Sequence, residues 1–392
     1  MSIGNQFQYI DRLSEDNFHL LAENPHLTTV ILGHQEAWWS NQFQDDEYGS
    51  TLISSYVNNY IDQDIKPDIR FTVCGFDYPE CSERDYSAFT KPGHGIPWAK
   101  RVTWPTYWFG WECVIDLRDN PEIPQETPPY LFSCFLNAGH KPHRIALMHS
   151  ILDNDMIDKG IVRFCNSNLH WLKFIRDAKN PTEINGIAHS LLWKLLPHLT
   201  KTISQNKWGM ANQRSVSFDP QYHNGFIDII GASQLYNSVY CEKTARPLLF
   251  GKPFFIVGPP NVNKNLTKLG FELYDEIFDY SLDNYVDNIN LKDEDRISYY
   301  NKMLKPLYDL NTSDIKSLHI KIKDKLLHNQ KRIVDIIFDD NFIPEEFPEH
   351  LDMLHYIHGV QYPRKILAHS YYFQQFLTDE QKLKWKSYEV AK

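Results

Sequence analysis

Residues 239–260 read VYCEKTARPLLFGKPFFIVGPP, and this stretch decides the fold class of the chain. An apolar helical turn follows the polar pair Glu242 and Lys243, and Gly251 ends it. The run at 253–257 is aromatic and β-branched, as in a buried strand, and a Gly-Pro-Pro sequence then stops it. The stretch therefore predicts a helix that leads directly into a strand, which is the repeating unit of an α/β fold.

Glu242 and Lys243 stand at the predicted N-terminus of this helix. That end of a helix is positively polarised and offers backbone N–H groups, so it suits a phosphate. Lys243 would add a cation for a pyrophosphate, and Glu242 would accept both hydroxyls of a ribose. Capping is the alternative for the same pair, because a Glu in a first helical turn complements the helix dipole. The pair is therefore interpreted either as a binding site for a nucleotide diphosphate or as an ordinary helix start.

The rest of the chain alternates strands with helices. β-branched and aromatic runs predict buried strands at 28–33, 69–76, 130–136, 160–165 and 226–231. Helical spacing is found at 52–61, 143–153, 187–196 and 263–269. Such alternation indicates parallel sheets with helices on both faces.

A proline-rich crossover divides the chain into two α/β halves, since residues 120–129 hold four prolines. We expect an N-terminal α/β domain at 1–125 and a second α/β domain at 126–340. The remaining tail, 341–392, is expected to pack back on the first domain. Ligands bind beyond the carboxyl ends of the strands in such sheets, so the site is predicted in the cleft between the two halves.

Composition and charge restrict the class of function. The 392-residue chain has a net charge of −10, which argues against broad non-specific binding to DNA. Its six cysteines are scattered without a C-x-x-C pair, which disfavours a finger-like zinc site and fits a reduced, cytoplasmic compartment. We expect neither a signal peptide nor a membrane span, because the N-terminus has no charged and apolar regions and no apolar run approaches about 18 residues.

The run at 238–259 resembles the donor-binding motif of GT-B glycosyltransferases. It is similar to the α1,3-fucosyltransferase-like group and its phage and viral relatives, in which a polar and an aromatic residue precede Glu-Lys. The sequence LGFELYDEIFDYS at 269–281 is similar to the same relatives, and KPHR at 141–144 resembles a basic strand–helix turn in them. The resemblance covers about 226–283 and, more loosely, 137–149. A composition low in Gly and rich in Tyr, Asn, Lys, Ile and Asp fits a phage or viral source, with the protein in the host cytoplasm.

The resemblance implies a GT-B fold, in which two Rossmann-like domains face a cleft and extra helices follow at the C-terminus. It implies transfer of a sugar from a UDP- or GDP-linked donor to an acceptor hydroxyl, with the acceptor held by the first domain. Glu242 would bind the ribose and Lys243 the diphosphate. His143 or Arg144 would add positive charge near the leaving diphosphate.

Two further residues match the motif, and no metal is expected. Ser238 and Tyr240 occupy the polar and aromatic positions before Glu-Lys, so the resemblance implies that they contact the donor as well. GT-B enzymes work with side chains and helix dipoles, and no essential cation or other cofactor is implied. Asp-x-Asp spacing occurs at 62–64, 153–155 and 293–295, but none of these directly follows a predicted buried strand. The strand before Glu-Lys departs from the motif, since it carries only Asp228 and Ser233, and this leaves the donor base open.

The catalytic base is also left open by the resemblance. An inverting enzyme needs a carboxylate or a histidine near the acceptor hydroxyl. His34 and Glu36 come just after the predicted strand at 28–33, and Asp77 follows the strand at 69–76. Because these strand ends should face the cleft, the three residues are candidate catalytic groups. A capping or solvated-loop role is the alternative for each, and a retaining enzyme would need none of them.

Three functional hypotheses fit the same residues. The first is transfer to a glycan or small-molecule acceptor. The second is a phage-type DNA glycosyltransferase that modifies a hydroxymethylated base in duplex DNA. The latter needs a basic DNA-facing stripe and room for a flipped base. Residues 316–332 hold six basic residues against one acid, although a solvated helix face accounts for them too. The third hypothesis is a non-catalytic GT-B-like module that binds a nucleotide without turnover.

Overall fold

The computed structural model describes residues 7–10, 28–32, 69–73, 75–76, 100–103, 127–137, 142–165, 220–232, 238–240, 242–283, 293–342 and 361–386. Ten strands lie within them. The first five are β1 (Phe7–Ile10), β2 (Thr28–Leu32), β3 (Ile69–Val73), β4 (Gly75–Phe76) and β5 (Lys100–Thr103). The other five are β6 (Tyr130–Asn137), β7 (Gly160–Cys165), β8 (Gly225–Gly231), β9 (Ser238–Val239) and β10 (Phe254–Val257).

Eight α-helices accompany these strands in the described residues. They are α1 (Pro142–Asp153), α2 (Glu242–Phe250), α3 (Val262–Lys268), α4 (Asp293–Met303), α5 (Lys305–Tyr308), α6 (Ile315–Phe338), α7 (Tyr362–His369) and α8 (Asp379–Lys386). The helices predicted at 143–153 and 263–269 are confirmed as α1 and α3, to within a residue or so at each end. The helices predicted at 52–61 and 187–196 lie outside the described residues. No described helix is both long and apolar enough to cross a membrane.

The first sheet contains β1, β2, β3 and β5 in that order, and every pair in it is parallel. The chain crosses this sheet in one direction, since each described strand lies beside the one before it. Parallel pairing in this half was predicted from the alternation of strands and helices, and it is confirmed. The prediction rests on simple geometry, because parallel neighbours need a crossover connection between them.

The second sheet is also parallel, with the order β10-β8-β6-β7. β6 comes first in the chain but lies between β7 and β8, so the direction of winding reverses between β6 and β8. This is the doubly wound order, and the reversal is its topological switch point. All residues of β8 and β10 are buried, as expected for strands covered on both faces. The protein is therefore an α/β protein, as predicted.

A third, two-stranded ladder corrects one prediction. The strand predicted at 69–76 is divided into β3, which belongs to the first sheet, and β4, which pairs antiparallel with β9. Gly75 lies opposite Val239, and Phe76 lies opposite Ser238. The sequence shows one continuous run because both β3 and β4 are extended. What distinguishes β4 is its partner β9, which is distant in the chain. The ladder joins the end of β3 to the segment that leads into α2.

The C-terminal helices pack against α6. Arg364 of α7 donates from Nε to the carbonyl of Ile337 at 2.6 Å, and Tyr372 donates to Gln330 at 2.9 Å. The ring of Trp385 in α8 meets Phe338 edge-on. The described part of the tail thus contacts the second half of the chain, and the predicted contact of the tail with the first domain stays a prediction.

Candidate functional site

The switch point of the second sheet lies beyond the carboxyl ends of β6 and β8. Three helices begin on this side of the sheet. α1 and α3 follow β6 and β10 directly. α2 leads into β10 through a short connection, so it runs antiparallel to the strands and its first residue, Glu242, lies toward their carboxyl ends. Ligands of doubly wound sheets bind in the crevice at this edge, which makes it the candidate functional site.

His143 and Arg144 occupy the first turn of α1 and are both almost fully buried. The ring of His143 bonds through Nε2 to the carbonyl of Ala232 at 2.7 Å, which requires the tautomer with its proton on Nε2. Arg144 donates from Nε and Nη2 to the same carbonyl at 3.2 and 2.9 Å, and from Nη2 to the carbonyl of Gly231 at 3.2 Å. The two side chains therefore fasten α1 to the end of β8, beside the switch point. Their predicted effect on a leaving group stays a prediction.

Gly231 allows this close attachment. A Cβ at this position would lie 2.6 Å from Leu136 Cδ2 and 3.1 Å from Arg144 Cγ. A side chain here would clash with Leu136 and would also crowd the stem of Arg144. The glycine therefore leaves room for both side chains at the end of β8.

α2 begins at Glu242 as predicted, and Gly251 ends it. Gly251 has a φ of 61°, and the amide of Lys252 donates to the carbonyl of Pro247 at 2.9 Å, which is the hydrogen bond of a Schellman stop. Most of the helix is buried, whereas Lys243 and Arg246 are half-buried. Of the cations on this helix, Lys243 is thus the one in the first turn and in reach of solvent.

Tyr240 lies two residues before the start of α2 and is fully buried. Its hydroxyl donates to the carbonyl of Val262 at 2.9 Å, so it ties the entry of α2 to the start of α3. Ser238 lies in β9, opposite Phe76. The predicted contact of Tyr240 and Ser238 with a donor stays a prediction. The packing role of Tyr240 was not foreseen, because its partner lies beyond the helix–strand unit that the residue precedes.

Asp283 completes the start of α3, a role that the sequence did not indicate. Its carboxylate accepts from the Lys264 amide and from the Asn263 side chain, both at 2.8 Å, and its backbone carbonyl accepts from the Asn261 amide. Asn263 also bonds both the amide and the carbonyl of Ile256 in β10. Burial raises the pKa of Asp283 to about 6, against the lowering effect of these hydrogen bonds. The carboxylate comes from about 20 residues down the chain, so no local spacing could reveal it.

The three predicted catalytic residues, His34, Glu36 and Asp77, lie outside the described residues. β2 ends at Leu32, two positions before His34 in the chain. β4 ends at Phe76, the neighbour of Asp77, and Phe76 is paired with Ser238. Their role as bases stays a prediction.

Asp228 is buried in the middle of β8. Its carboxylate accepts from the hydroxyl of Tyr222 at 2.8 Å. Tyr222 precedes β8, so this bond points toward the amino ends of the strands, away from the crevice at the switch point. Asp228 is therefore a core residue and is not part of the candidate site.

The basic residues of 316–332 lie on α6, and half of them bond within the chain. Lys325 donates to the carbonyl of Leu273 and to Glu276, Lys331 pairs with Asp335, and Arg332 donates to the carbonyl of Leu269. The exposed remainder is Lys316, Lys321 and Lys323. A DNA-facing stripe would have to use these three or break the existing contacts.

In the part of the chain that the structure describes, no group of three or more His, Cys, Asp or Glu side chains is arranged to hold a metal ion. Comparison of the chain with family models, with curated proteins and with solved structures gave no match. Within the described residues, then, the site is defined by its geometry: a doubly wound sheet, a switch point capped by His143 and Arg144, and a helix that starts with Glu242 and Lys243.

Proposed function

We propose that the protein is a glycosyltransferase of the GT-B type, which moves a sugar from a nucleoside-diphosphate donor to an acceptor hydroxyl. The observation that carries the proposal is the position of α2. Its N-terminus carries Glu242 and Lys243 and faces the same edge of the doubly wound sheet as the switch point, where nucleotides bind in such folds.

In the proposed complex the two residues divide the donor between them. Glu242 accepts hydrogen bonds from the ribose hydroxyls, and Lys243 contacts the diphosphate together with the backbone N–H groups of the first turn. Arg144 keeps a positive charge at the switch point, because its guanidinium stays protonated while it bonds the carbonyls at the end of β8 beside His143. This charge favours departure of the nucleoside diphosphate as an anion.

The acceptor side of the proposed cleft is the first sheet. The β4–β9 ladder supports this arrangement, since Phe76 is paired with Ser238, four residues before Glu242. Asp77 follows Phe76 in the chain, so we propose it as the first candidate for the base that takes the acceptor proton, ahead of His34 and Glu36. In the reaction the acceptor oxygen attacks the anomeric carbon, its proton passes to the base, and the bond from that carbon to the diphosphate breaks.

A thermal-shift screen of the full chain against UDP- and GDP-linked sugars tests the proposal. We expect at least one donor or its nucleoside diphosphate to raise the melting temperature, because a ligand that binds only the folded state stabilises it. The hit is then incubated alone with the protein, and release of the free nucleoside diphosphate is measured. A panel without any stabilising nucleotide would overturn the function. Stabilisation with no release, in water or with added acceptors, would indicate a binding module instead of an enzyme.

A further inference from the structure

A polar network lies in the core of the second sheet, outside the proposed donor site. Lys252 Nζ donates to the carbonyl of Tyr222 at 2.7 Å and to the hydroxyl of Ser133 at 3.2 Å, and it lies 3.8 Å from the centre of the Tyr222 ring. Asp228 accepts from the Tyr222 hydroxyl at 2.8 Å and lies 3.5 Å from the Ser133 hydroxyl. All four side chains are nearly inaccessible to solvent. Lys252 and Asp228 therefore both contact Ser133, whose hydroxyl also lies 3.3 Å from the carbonyl of Ile227, and they form no direct ion pair.

The hydrogen-bond count of this network suits a neutral lysine. A protonated amine has three N–H donors, and a neutral amine has two. The network offers two acceptors, the Tyr222 carbonyl and the Ser133 hydroxyl, while the remaining direction faces the Tyr222 ring. Loss of one proton therefore costs the amine no hydrogen bond to oxygen, only its attraction to the ring and to Asp228.

The surroundings of Lys252 lower its pKa on balance. Burial lowers the pKa of Lys252 to about 7, with Asp228 opposing the shift and Arg246 adding to it. Burial raises the pKa of Asp228, against the charge of Lys252 and the hydrogen bond from Tyr222. Burial, followed by Lys252 and Arg246, lowers the pKa of His223 to about 4, so this ring is neutral around pH 7.

The elements packed around the network contribute the remaining titratable groups. β6 carries Cys134, whose thiol pKa is raised by burial and by Asp228. Arg246 comes from α2, and Tyr222 and His223 come from the turn Pro220–Asn224. Because the histidine and the thiol are neutral near pH 7, Lys252 is the group of this set that exchanges a proton there.

We propose that Lys252, held in the core by the Tyr222 carbonyl and the Ser133 hydroxyl beside Asp228, is a proton-exchanging group, so that the fold is more stable in mildly alkaline than in neutral solution. The sign follows from linkage. The pKa of Lys252 is lower in the folded chain than its ordinary value of 10.5, so the unfolded chain binds more protons between about pH 7 and 10.5. Stability due to this group therefore rises with pH over that window, by up to about tenfold in the folding equilibrium constant per pH unit.

Urea unfolding of the full chain at pH 7, 8 and 9 tests the proposal, with Lys252→Met compared with the wild type. Lys302→Met is the matched control, because Lys302 is exposed on α4. From pH 7 to 9 we expect the folding constant of the wild type to rise about ten- to a hundredfold relative to that of Lys252→Met. The control should follow the wild type. Parallel pH dependence of all three proteins would overturn the proposal.

A direct titration covers the case in which Lys252→Met does not fold. The wild-type chain, labelled with ¹³C at the lysine ε carbons, should give one lysine signal that titrates near pH 7, and Ser133→Ala should move the midpoint of that signal. If every lysine signal titrates above about pH 9.5, as ordinary lysines do, the proposal is wrong.

Discussion

Lys243 is the residue on which the proposed donor site depends most. It lies half-buried in the first turn of α2, where a helix attracts anions. Lys243→Ala should remove a charge-assisted contact worth about 1.5–3 kcal/mol, so the affinity for UDP or GDP should fall about ten- to a hundredfold. Calorimetry on the wild type and the variant measures this difference in affinity.

The control for this measurement is Lys302→Ala, which removes an exposed lysine from α4. It corrects for the loss of one positive charge from the whole chain, and we expect no change in affinity. If Lys243→Ala binds each nucleoside diphosphate as tightly as the wild type does, the donor role assigned to this helix start is wrong.

Asp283 is the second residue with a role that one substitution can isolate. Its carboxylate accepts from the Lys264 amide and from Asn263, and it does so while buried. Asp283→Ala leaves both donors without this acceptor and should lower the free energy of unfolding by about 2–4 kcal/mol. Chemical denaturation measures this loss.

Asp309 provides the comparison for Asp283. Its side chain is exposed and pairs with Lys305 on the surface. Asp309→Ala should cost less than about 1 kcal/mol, because solvent screens such a pair. Equal losses from the two substitutions would mean that Asp283 does not hold the start of α3.

At the scale of elements, both helices beside β10 end in the same way. α3 ends at Gly270, whose φ is 87°, and the amides of Gly270 and Phe271 donate to the carbonyls of Thr267 and Leu266. This is a complete Schellman motif, and the buried Phe271 and Leu266 provide its apolar side chains. The Leu-Gly-Phe sequence that resembles glycosyltransferase relatives therefore also has a local role as a helix stop.

The stop at Gly270 can be tested by two substitutions. A Cβ at this position would lie 2.7 Å from Arg332 Nε in both Ala and Asn. The difference in stability between the two variants therefore reports the cost of the positive φ. Gly270→Ala should destabilise the fold by about 1–2 kcal/mol, and Gly270→Asn by less, because Asn tolerates a positive φ better. Thermal unfolding of both variants measures these losses of stability. An alanine variant at least as stable as the asparagine variant would contradict the role of φ.

These elements were predictable because their signals are local. Apolar spacing, Gly251 and the prolines after it delimit α2 and β10 within a few neighbouring residues, and the helix start at Glu242 followed from the same stretch. The bonds of Arg144 to Gly231 and of Asp283 to Lys264 join residues far apart in the chain. The Lys252 network is equally non-local, so no local pattern indicates it.

At the scale of the whole molecule, the β4–β9 ladder connects the two halves of the chain. Opposite residues of an antiparallel pair have Cα atoms about 4.5–5.5 Å apart, which is within reach of a disulfide. The double variant Gly75→Cys with Val239→Cys should therefore form a disulfide under mild oxidation. Peptide mapping by mass spectrometry detects the linked fragments.

Each single-cysteine variant is the control for this measurement, because the chain already contains six cysteines. Neither should yield a linked peptide joining positions 75 and 239. Absence of the linked peptide in the double variant would show that β4 and β9 are not neighbours, and the proposed cleft would lose its support from the ladder.

The same ladder has a consequence for biosynthesis. β4 leaves the ribosome roughly 160 residues before β9 does, which corresponds to about 8–30 s at ordinary elongation rates. During that interval the strand cannot reach its partner, and an unpaired strand edge is prone to pairing with other chains. We therefore expect slower elongation through 77–237 to lower the yield of soluble protein, because it lengthens the time that β4 spends without its partner.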